Sequence, residues 1–546
     1  MANQELFATT SGKHVPPADT TNAAGGKAYA LSPKQALAQY AVTGCFGDTY
    51  YANASAQLTE VLALAQQCDS EFIAKCAVYA RQRGHMKDMP ALLLAMLAAR
   101  SKDTQNAPPG PEWSTQRNLA LAFPLVVDNG KMLRNFAQIV RSGVTGRKSF
   151  GTAVRRMMRR WIESRSVDQL FRDSVGDKPS LADVIKMVHP KAADPEHDAL
   201  YAYLAGSKKL ADKQLALPTL VRLYEDYKSF TAEHKRAAGA DVIPDVPFEM
   251  LDSLGLDTAG WTAVAKRAGW QMLRMNLNTF ARHGVLQDAQ TVEFIAGRLR
   301  DPESIRKARV FPYQLLMAYK ATEGNTDIPM AIKLALQDAM EIATDNVPAF
   351  GTRVVVAVDT SGSMSSPITG HRTASSAMNC VDVAALIASC IMRKNPETTV
   401  MPFDTRLHTH SLNPRDTVMT NAATLARFGG GGTDCSLALQ KVTQDRMKPA
   451  LIIYVSDNES WMDSVSSGWR GTGMATEWSK HKAFNPTAKL VCIDLTPHAS
   501  SQVRTQRDVL NVGGFSDAVF DVMMNFIAGK DADSFVREVD AINLGG

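Results

Sequence analysis

No run of the sequence is apolar for the ~20 residues that a helical bilayer crossing requires. The longest apolar stretch, around residues 92–99, falls well short of it. The amino terminus, MANQELFATTSGKH, has no basic segment followed by an apolar one, so a secretory signal is not expected and a cytoplasmic protein is. Cysteine is sparse. The seven residues Cys45, Cys68, Cys76, Cys380, Cys390, Cys435 and Cys492 include no CxxC pair, which argues for reduced core thiols and against a disulfide framework or a zinc ribbon. Cys68 and Cys76 can share a helix face, but without a histidine pattern nearby they are expected in the core. No GK[ST] closes a glycine-rich loop, and no second aspartate follows Asp359 by two residues, so nucleotide hydrolysis and phosphotransfer are not expected.

A chain of 546 residues exceeds what one core organises, and 45% apolar with 21% charged residues is the balance of folded globular domains. The net charge of +5 is unevenly placed. From residue 346 onward 18 Lys/Arg face 19 Asp/Glu, whereas the earlier part carries 42 against 36. The excess is sharpest between Lys131 and Arg172, where eleven basic residues meet only Glu163 and Asp168. Such a patch favours an anionic partner.

Up to about residue 340 the sequence reads as short amphipathic helices. Ser32-Pro33-Lys34-Gln35 is a capping box with proline at the first helical position, Asp69 or Ser70 opens a helix that Gly84 closes, and Asp88 opens the ALLLAMLAA run. Paired helices with few strand signals predict an all-α helical-repeat region, although no strict period is found. Near Asn346 the pattern changes. RVVVAVD (353–359), TTVMPFD (398–404), ALIIYVSD (450–457) and AKLVCIDL (488–495) are compact β-rich runs separated by helical stretches, notably 377–393 and 435–442. This predicts a parallel sheet covered by helices, and a two-domain chain of residues 1–345 and 346–546 joined around residues 341–350.

Asp359-Thr360-Ser361-Gly362-Ser363 follows the first of these strands, which puts three oxygen-bearing side chains at its carboxyl end, the edge where open α/β sheets place ligands. Gly429–Gly432 allows a loop to approach closely before Thr433, and Asp457 ends a neighbouring strand. Asp359, Ser361, Ser363, Thr433 and Asp457 are therefore expected to hold one hard divalent cation, Mg²⁺ or alternatively Mn²⁺. The bland alternative is a serine-rich strand-to-helix turn. DTSGS, the later GGGGTD and the strand ending in SD together resemble the metal-ion-dependent adhesion site of von Willebrand factor A (vWA) domains. The resemblance covers roughly the last 195 residues. It implies direct or water-mediated ligation by Ser361, Ser363 and Thr433, largely water-mediated contact by Asp359 and Asp457, and an open position that accepts a carboxylate.

In SFGTAVRRMMRRWIE, a helical wheel puts Phe150, Val154, Met157, Met158 and Trp161 on one side and Arg155, Arg156, Arg159 and Arg160 on the other. Arg147 and Lys148 lie just upstream. Guanidinium forks match phosphate, so this face is a candidate nucleic-acid contact; a solvated, carboxylate-paired face is the alternative. The helical region resembles the Ro autoantigen (TROVE) family through RGHMKDMPALLLAML (83–97), GRKSFGTAVRRMMRRW (146–161), SLADVIKMVHPKA (180–192), GWQMLRMNLNTFARHGVL (269–286) and RVFPYQLLMAYKA (309–321). That resemblance implies a monomeric closed ring of HEAT-like helix pairs that threads single-stranded RNA 3′ ends and carries small noncoding Y RNA outside. It also implies, for bacterial members, work beside an exoribonuclease such as polynucleotide phosphorylase. His189 and Arg172 match basic positions of the family's RNA surface. The turn SVGDKPS carries only Lys178 where the family often has a basic, tryptophan-containing turn. Arg274, Asn276, Asn278 and Arg282 are candidate channel residues, with Met272, Leu273, Met275, Leu277 and Phe280 expected in the core.

The function expected is non-catalytic RNA binding in quality control, read through RNA shape and single-stranded ends, since no RNP-type strand aromatics are present. The alternative is a helical-repeat protein adaptor whose metal site clamps a protein carboxylate. A metal nuclease is disfavoured by a hydroxyl-rich shell for a single cation.

Overall fold

The computed structural model describes residues 15–44, 48, 50–100, 113–207, 216–308, 310, 312–368, 378–462, 471–516, 518–529 and 534–545. The leader through residue 14, Cys45, Arg309, Phe311 and Ala377 lie outside the described residues. Two compact units are present. One gathers the described residues of Met1–Met89, Arg300–Gly324 and Leu334–Ile542, the other those of Pro90–Leu299, Asn325–Lys333 and Asn543–Gly546.

The first unit is built on a five-stranded sheet. Its strands are β3 (Val354–Asp359), β4 (Thr399–Phe403), β5 (Leu451–Ser456), β6 (Lys489–Asp494) and β8 (Val509–Gly513), in the order β4-β3-β5-β6-β8. Every pairing is parallel, with Val356 opposite Val400 and Ile453, and Cys492 opposite Tyr454 and Asn511. β3 and β5 are buried along their whole length, which is why they read as unbroken apolar runs rather than alternating ones. Four of the strands match the β-rich runs of the sequence. The fifth, VLNVG, is short and interrupted by Asn511, and a pattern search passes it over. Val355, Ala357, Phe403, Ile452, Tyr454, Trp478, Leu490 and Val509 make the core of one face.

The amino-terminal residues fold into this unit. β1 (Thr20–Thr21) and β2 (Lys27–Ala30) form a hairpin, and β2 pairs antiparallel with β7 (Ser500–Ser501), Tyr29 opposite Ser501. Tyr29 is fully buried within the sheet's core. The Pro33–Thr43 helix starts at the Ser32–Gln35 capping box read from the sequence, and Gln39 packs where any side chain at Gly513 would collide. The segment around residues 341–350 is held to the sheet's helices. Glu341 pairs with Arg393 at 2.9 Å and accepts from Val418 N at 2.7 Å, and Asn395 accepts from Phe350 N at 2.8 Å.

Among its described residues the second unit is helical. Its Gly151–Glu163 helix buries Val154, Met158, Trp161 and Ile162, and the Trp161 indole donates to Val127 O. Met275 departs from expectation. It is 71% exposed, because the chain breaks between the Trp270–Met275 and Leu277–Arg282 helices and the wheel phase shifts at Asn276. The six described cysteines are free and buried, and no described helix is long and apolar enough to cross a membrane.

Candidate functional site

Two places carry chemistry, one in each unit. The first is the carboxyl edge of the sheet. β3 lies between β4 and β5, so the chain leaves β3 toward one side and returns on the other, which opens a crevice above the ends of β3 and β5. Asp359 ends β3 and Asp457 follows β5; both are buried, as are Ser361, Ser363 and Thr433.

Backbone contacts gather the three loops. Gly362 N donates to Gly431 O at 2.9 Å and Gly430 N to Thr360 O at 3.0 Å, joining the DTSGS and GGGGT loops. A Cβ at Gly429 would lie 1.7 Å from Thr360 O, and with φ at +96° that position accepts glycine alone. Thr433 O accepts from Trp461 N at 3.2 Å and Met462 N at 3.1 Å, which ties in the loop after β5. Within this cradle Ser361 N donates to Asp359 Oδ1 at 2.9 Å, Ser456 Oγ to Asp359 Oδ2 at 2.5 Å, and the Ser361 and Ser363 hydroxyls are 3.2 Å apart. Ser363 and Asp457 line one cavity.

Burial pushes the Asp359 carboxyl above its ordinary pKa against the pull of its serine hydrogen bonds. Asp457 is raised well above, by burial first and then by repulsion from Asp359. Two buried acids and adjacent hydroxyls form an all-oxygen donor set of the kind a hard divalent cation takes. Among the described residues no cluster of three or more His, Cys, Asp or Glu is placed to hold a metal, so such a site depends on its hydroxyls.

Residues that pattern reading missed surround this edge. Asp404, just past β4, accepts from Gly431 N at 3.3 Å and pairs with His408 at 3.1 Å. Burial opposes its ionisation, but the Arg406 amide and His408 outweigh it and hold the carboxyl below its usual range. Glu459 is buried, accepts from Ala24 N at 3.0 Å, and is pushed up to about 7 by burial. Tyr51 lines one cavity with Ser363 and Asp457. Glu459 was legible as an acid two positions after Asp457, but nothing local marks Tyr51, some 300 residues upstream.

The second place is cationic. Arg141, Lys148, Arg155, Lys186 and His189 line a cavity of about 310 Å³ whose other walls are Ser149, Phe150 and Met187. No acid lines it. His189 ends the Leu181–Val188 helix in the left-handed conformation, φ 52°, with its amide on Ile185 O, and its ring is exposed. Arg155, Arg156 and Arg160 are exposed and, among the described residues, make no ion pair or side-chain hydrogen bond.

The remaining predicted contacts are differently engaged. Arg147 is buried, its guanidinium donating to Ala98, Ser149 and Phe150 carbonyls, so it closes the loop before the helix rather than facing outward. Arg159 donates twice to Val188 O, at 3.0 and 2.7 Å, and Arg172 grips Asp245 at 2.9 Å. Lys178 is exposed but outside the cavity lining. Of the candidate channel residues, Arg274 bonds Gln271, Asn276 Nδ2 donates to Met272 O, Asn278 accepts from Asn325 and Arg282 lies 3.9 Å from Asp252.

Comparison with known proteins agrees with both regions. Residues 353–527 match the Ro60 vWA domain and residues 253–346 the TROVE domain. The chain is 27% identical over 532 residues to the RNA-binding protein RO60 of Deinococcus radiodurans, covering 93% of this chain and 95% of that one. It is 24% identical over 252 residues to the RNA-binding protein RO60 of Caenorhabditis elegans, covering 44% and 38% respectively. The crystal structure of the Deinococcus radiodurans RO (RSR) protein superposes with a TM-score of 0.64 at 25% identity, over 91% of this chain and 100% of that one. An α/β unit with a parallel five-stranded sheet, a helical unit and these matches lead to one assignment: the chain carries a TROVE-domain match followed by a Ro60-type vWA match and is similar along most of its length to an RO60 protein.

Proposed function

We propose that this protein is a Ro-type RNA-binding protein that works without catalysis, as a scaffold in the quality control, maturation or decay of RNA. The observation that carries the reading is the cationic cavity that Arg155 helps line, with no acid among its described lining residues, together with Arg156 and Arg160 exposed on the same helix. Unpartnered guanidinium groups bind phosphate without first breaking an internal ion pair, and affinity built this way falls with salt. The names of the two relatives, both RNA-binding proteins, support it. Small Y-like RNA on this surface, single-stranded 3′ ends threaded through a ring of helix pairs, and an exoribonuclease partner such as polynucleotide phosphorylase complete the proposal.

In the α/β domain, Asp359, Ser361, Ser363, Thr433 and Asp457 hold one Mg²⁺ or Mn²⁺ in this reading. The cation would neutralise the two buried carboxylates, while the serines keep the loop in place through the Ser361 amide and the Ser363 hydroxyl. The test is absorbance of the purified full chain and filter binding of a structured RNA with a single-stranded 3′ tail. A 260 nm excess removed by ribonuclease, with tail-dependent binding, is expected. A clean protein spectrum and no RNA affinity would favour a protein adaptor.

A further inference from the structure

The face of the Asp457 and Ser363 side chains is walled by the chain's own amino-terminal residues. A cavity of about 260 Å³ lies there, lined on one side by Ser363, Asp457, Glu459 and His498 and on the other by Thr20–Ala23, Tyr40 and Tyr50–Ala52. Every attachment of that second wall is specific. The β1–β2 hairpin is stitched to β7. Asn22 Nδ2 donates to Ser460 O at 2.7 Å while its Oδ1 accepts from Gly26 N at 2.7 Å, so one side chain shapes the hairpin turn and anchors it to the loop after β5. A Cβ at Gly26 would lie 2.1 Å from Ser460 O, so the turn is seated as closely as backbone allows. Ala24 N donates to the Glu459 carboxylate at 3.0 Å. Tyr51 lines the cavity opposite Ser363 and Asp457, and the Ser363 hydroxyl lies 3.2 Å from that of Ser361.

We infer that the open side of the vWA metal site is occupied in cis: Tyr51 and the Asn22–Gly26 turn form an internal cover over Ser363 and Asp457, so that a carboxylate on a large partner reaches the site only when this cover is released. Two further features fit. Tyr51 and Asp457 line the same cavity, so the phenol ring and the acid face one enclosed space. The cavity, at about 260 Å³, is smaller than the roughly 300–1,000 Å³ typical of ligand sites. A cation placed among Asp359, Ser361, Ser363 and Asp457 would sit within reach of the Ser363 hydroxyl, which shares its cavity with Tyr51. Metal binding and cover closure are then linked, and each strengthens the other. This linkage rests on the metal reading above, whereas the cover itself does not.

Hydrogen exchange of the full chain with and without Mn²⁺, alongside Mn²⁺ binding measured by electron paramagnetic resonance, separates the two. In the wild-type protein Mn²⁺ is expected to slow exchange at residues 22–26 and 50–52 roughly tenfold. Tyr51→Phe should still bind Mn²⁺ but lose that response at 50–52. Mn²⁺ bound with no change at either segment would overturn the linkage and leave the metal site standing. If no Mn²⁺ binds, the metal reading fails and the cover is judged without metal. Tyr51→Phe and Asn22→Ala must then each speed exchange at residues 457–460 while residues 354–358 stay unchanged, and equal rates would refute it.

Discussion

Replacing Arg155, Arg156 and Arg160 together by alanine removes three exposed guanidinium groups that support nothing internal, so the fold should be untouched and RNA binding should not. If each contacts one phosphate, counterion release contributes about 0.7 per contact on single strands to the slope of log affinity against log salt, and the slope should shrink by about 2. Over a fourfold rise in salt, from about 50 to 200 mM, the wild type should then lose roughly twentyfold more affinity than the variant. Filter binding across that series, with circular dichroism to verify folding, reads both quantities. An unchanged slope in a folded variant would show that the exposed face of this helix does not meet RNA.

Arg147→Ala should behave oppositely. It strips the Ala98 and Phe150 carbonyls of a buried donor, costing about 2–6 kcal/mol, visible as a lowered Tm before any binding defect. Mg²⁺ or Mn²⁺ should raise the Tm of the wild-type chain, by about 2.7 kcal/mol of stability at a hundredfold excess over Kd, and should leave Asp359→Ala unmoved. His197 supplies a pH dependence: burial disfavours its charge, but Asp194 at 2.9 Å and the Arg165 carbonyl at 3.1 Å outweigh this and raise its pKa. Its stabilisation is therefore complete below the ordinary imidazole pKa of about 6.5 and fades as pH rises through the raised value, and His197→Gln should flatten that part of a stability-pH curve measured by denaturant unfolding.

Much of the architecture is written locally, and some of it is not. β3 and β5 announce themselves because both faces are covered and every position before the final Asp359 or Ser456 is apolar, and two of the three loops of the oxygen-rich cradle follow directly from these strand ends. The buried stripe of the Gly151–Glu163 helix was equally legible from its period. What sequence alone concealed depends on partners far away in the chain. Arg147 looks like one more member of a basic run, yet the Ala98 carbonyl, 49 residues earlier, draws it inward. Arg172 meets Asp245 across 73 residues. Tyr29, ahead of the first helix start read from the sequence, is a core residue because β2 finds β7 more than 470 positions later. Periodicity reports which face is buried; it carries no information on which distant carbonyl or carboxylate claims a given cation.

The most direct trial of RNA binding is ultraviolet crosslinking of a 3′-tailed structured RNA to the full chain, with the crosslinked peptides identified by mass spectrometry. The account places adducts in peptides spanning residues 141–163 and 181–190, where Arg141, Lys148, Arg155, Lys186 and His189 converge. Adducts confined to other surfaces, or none at all, would contradict it.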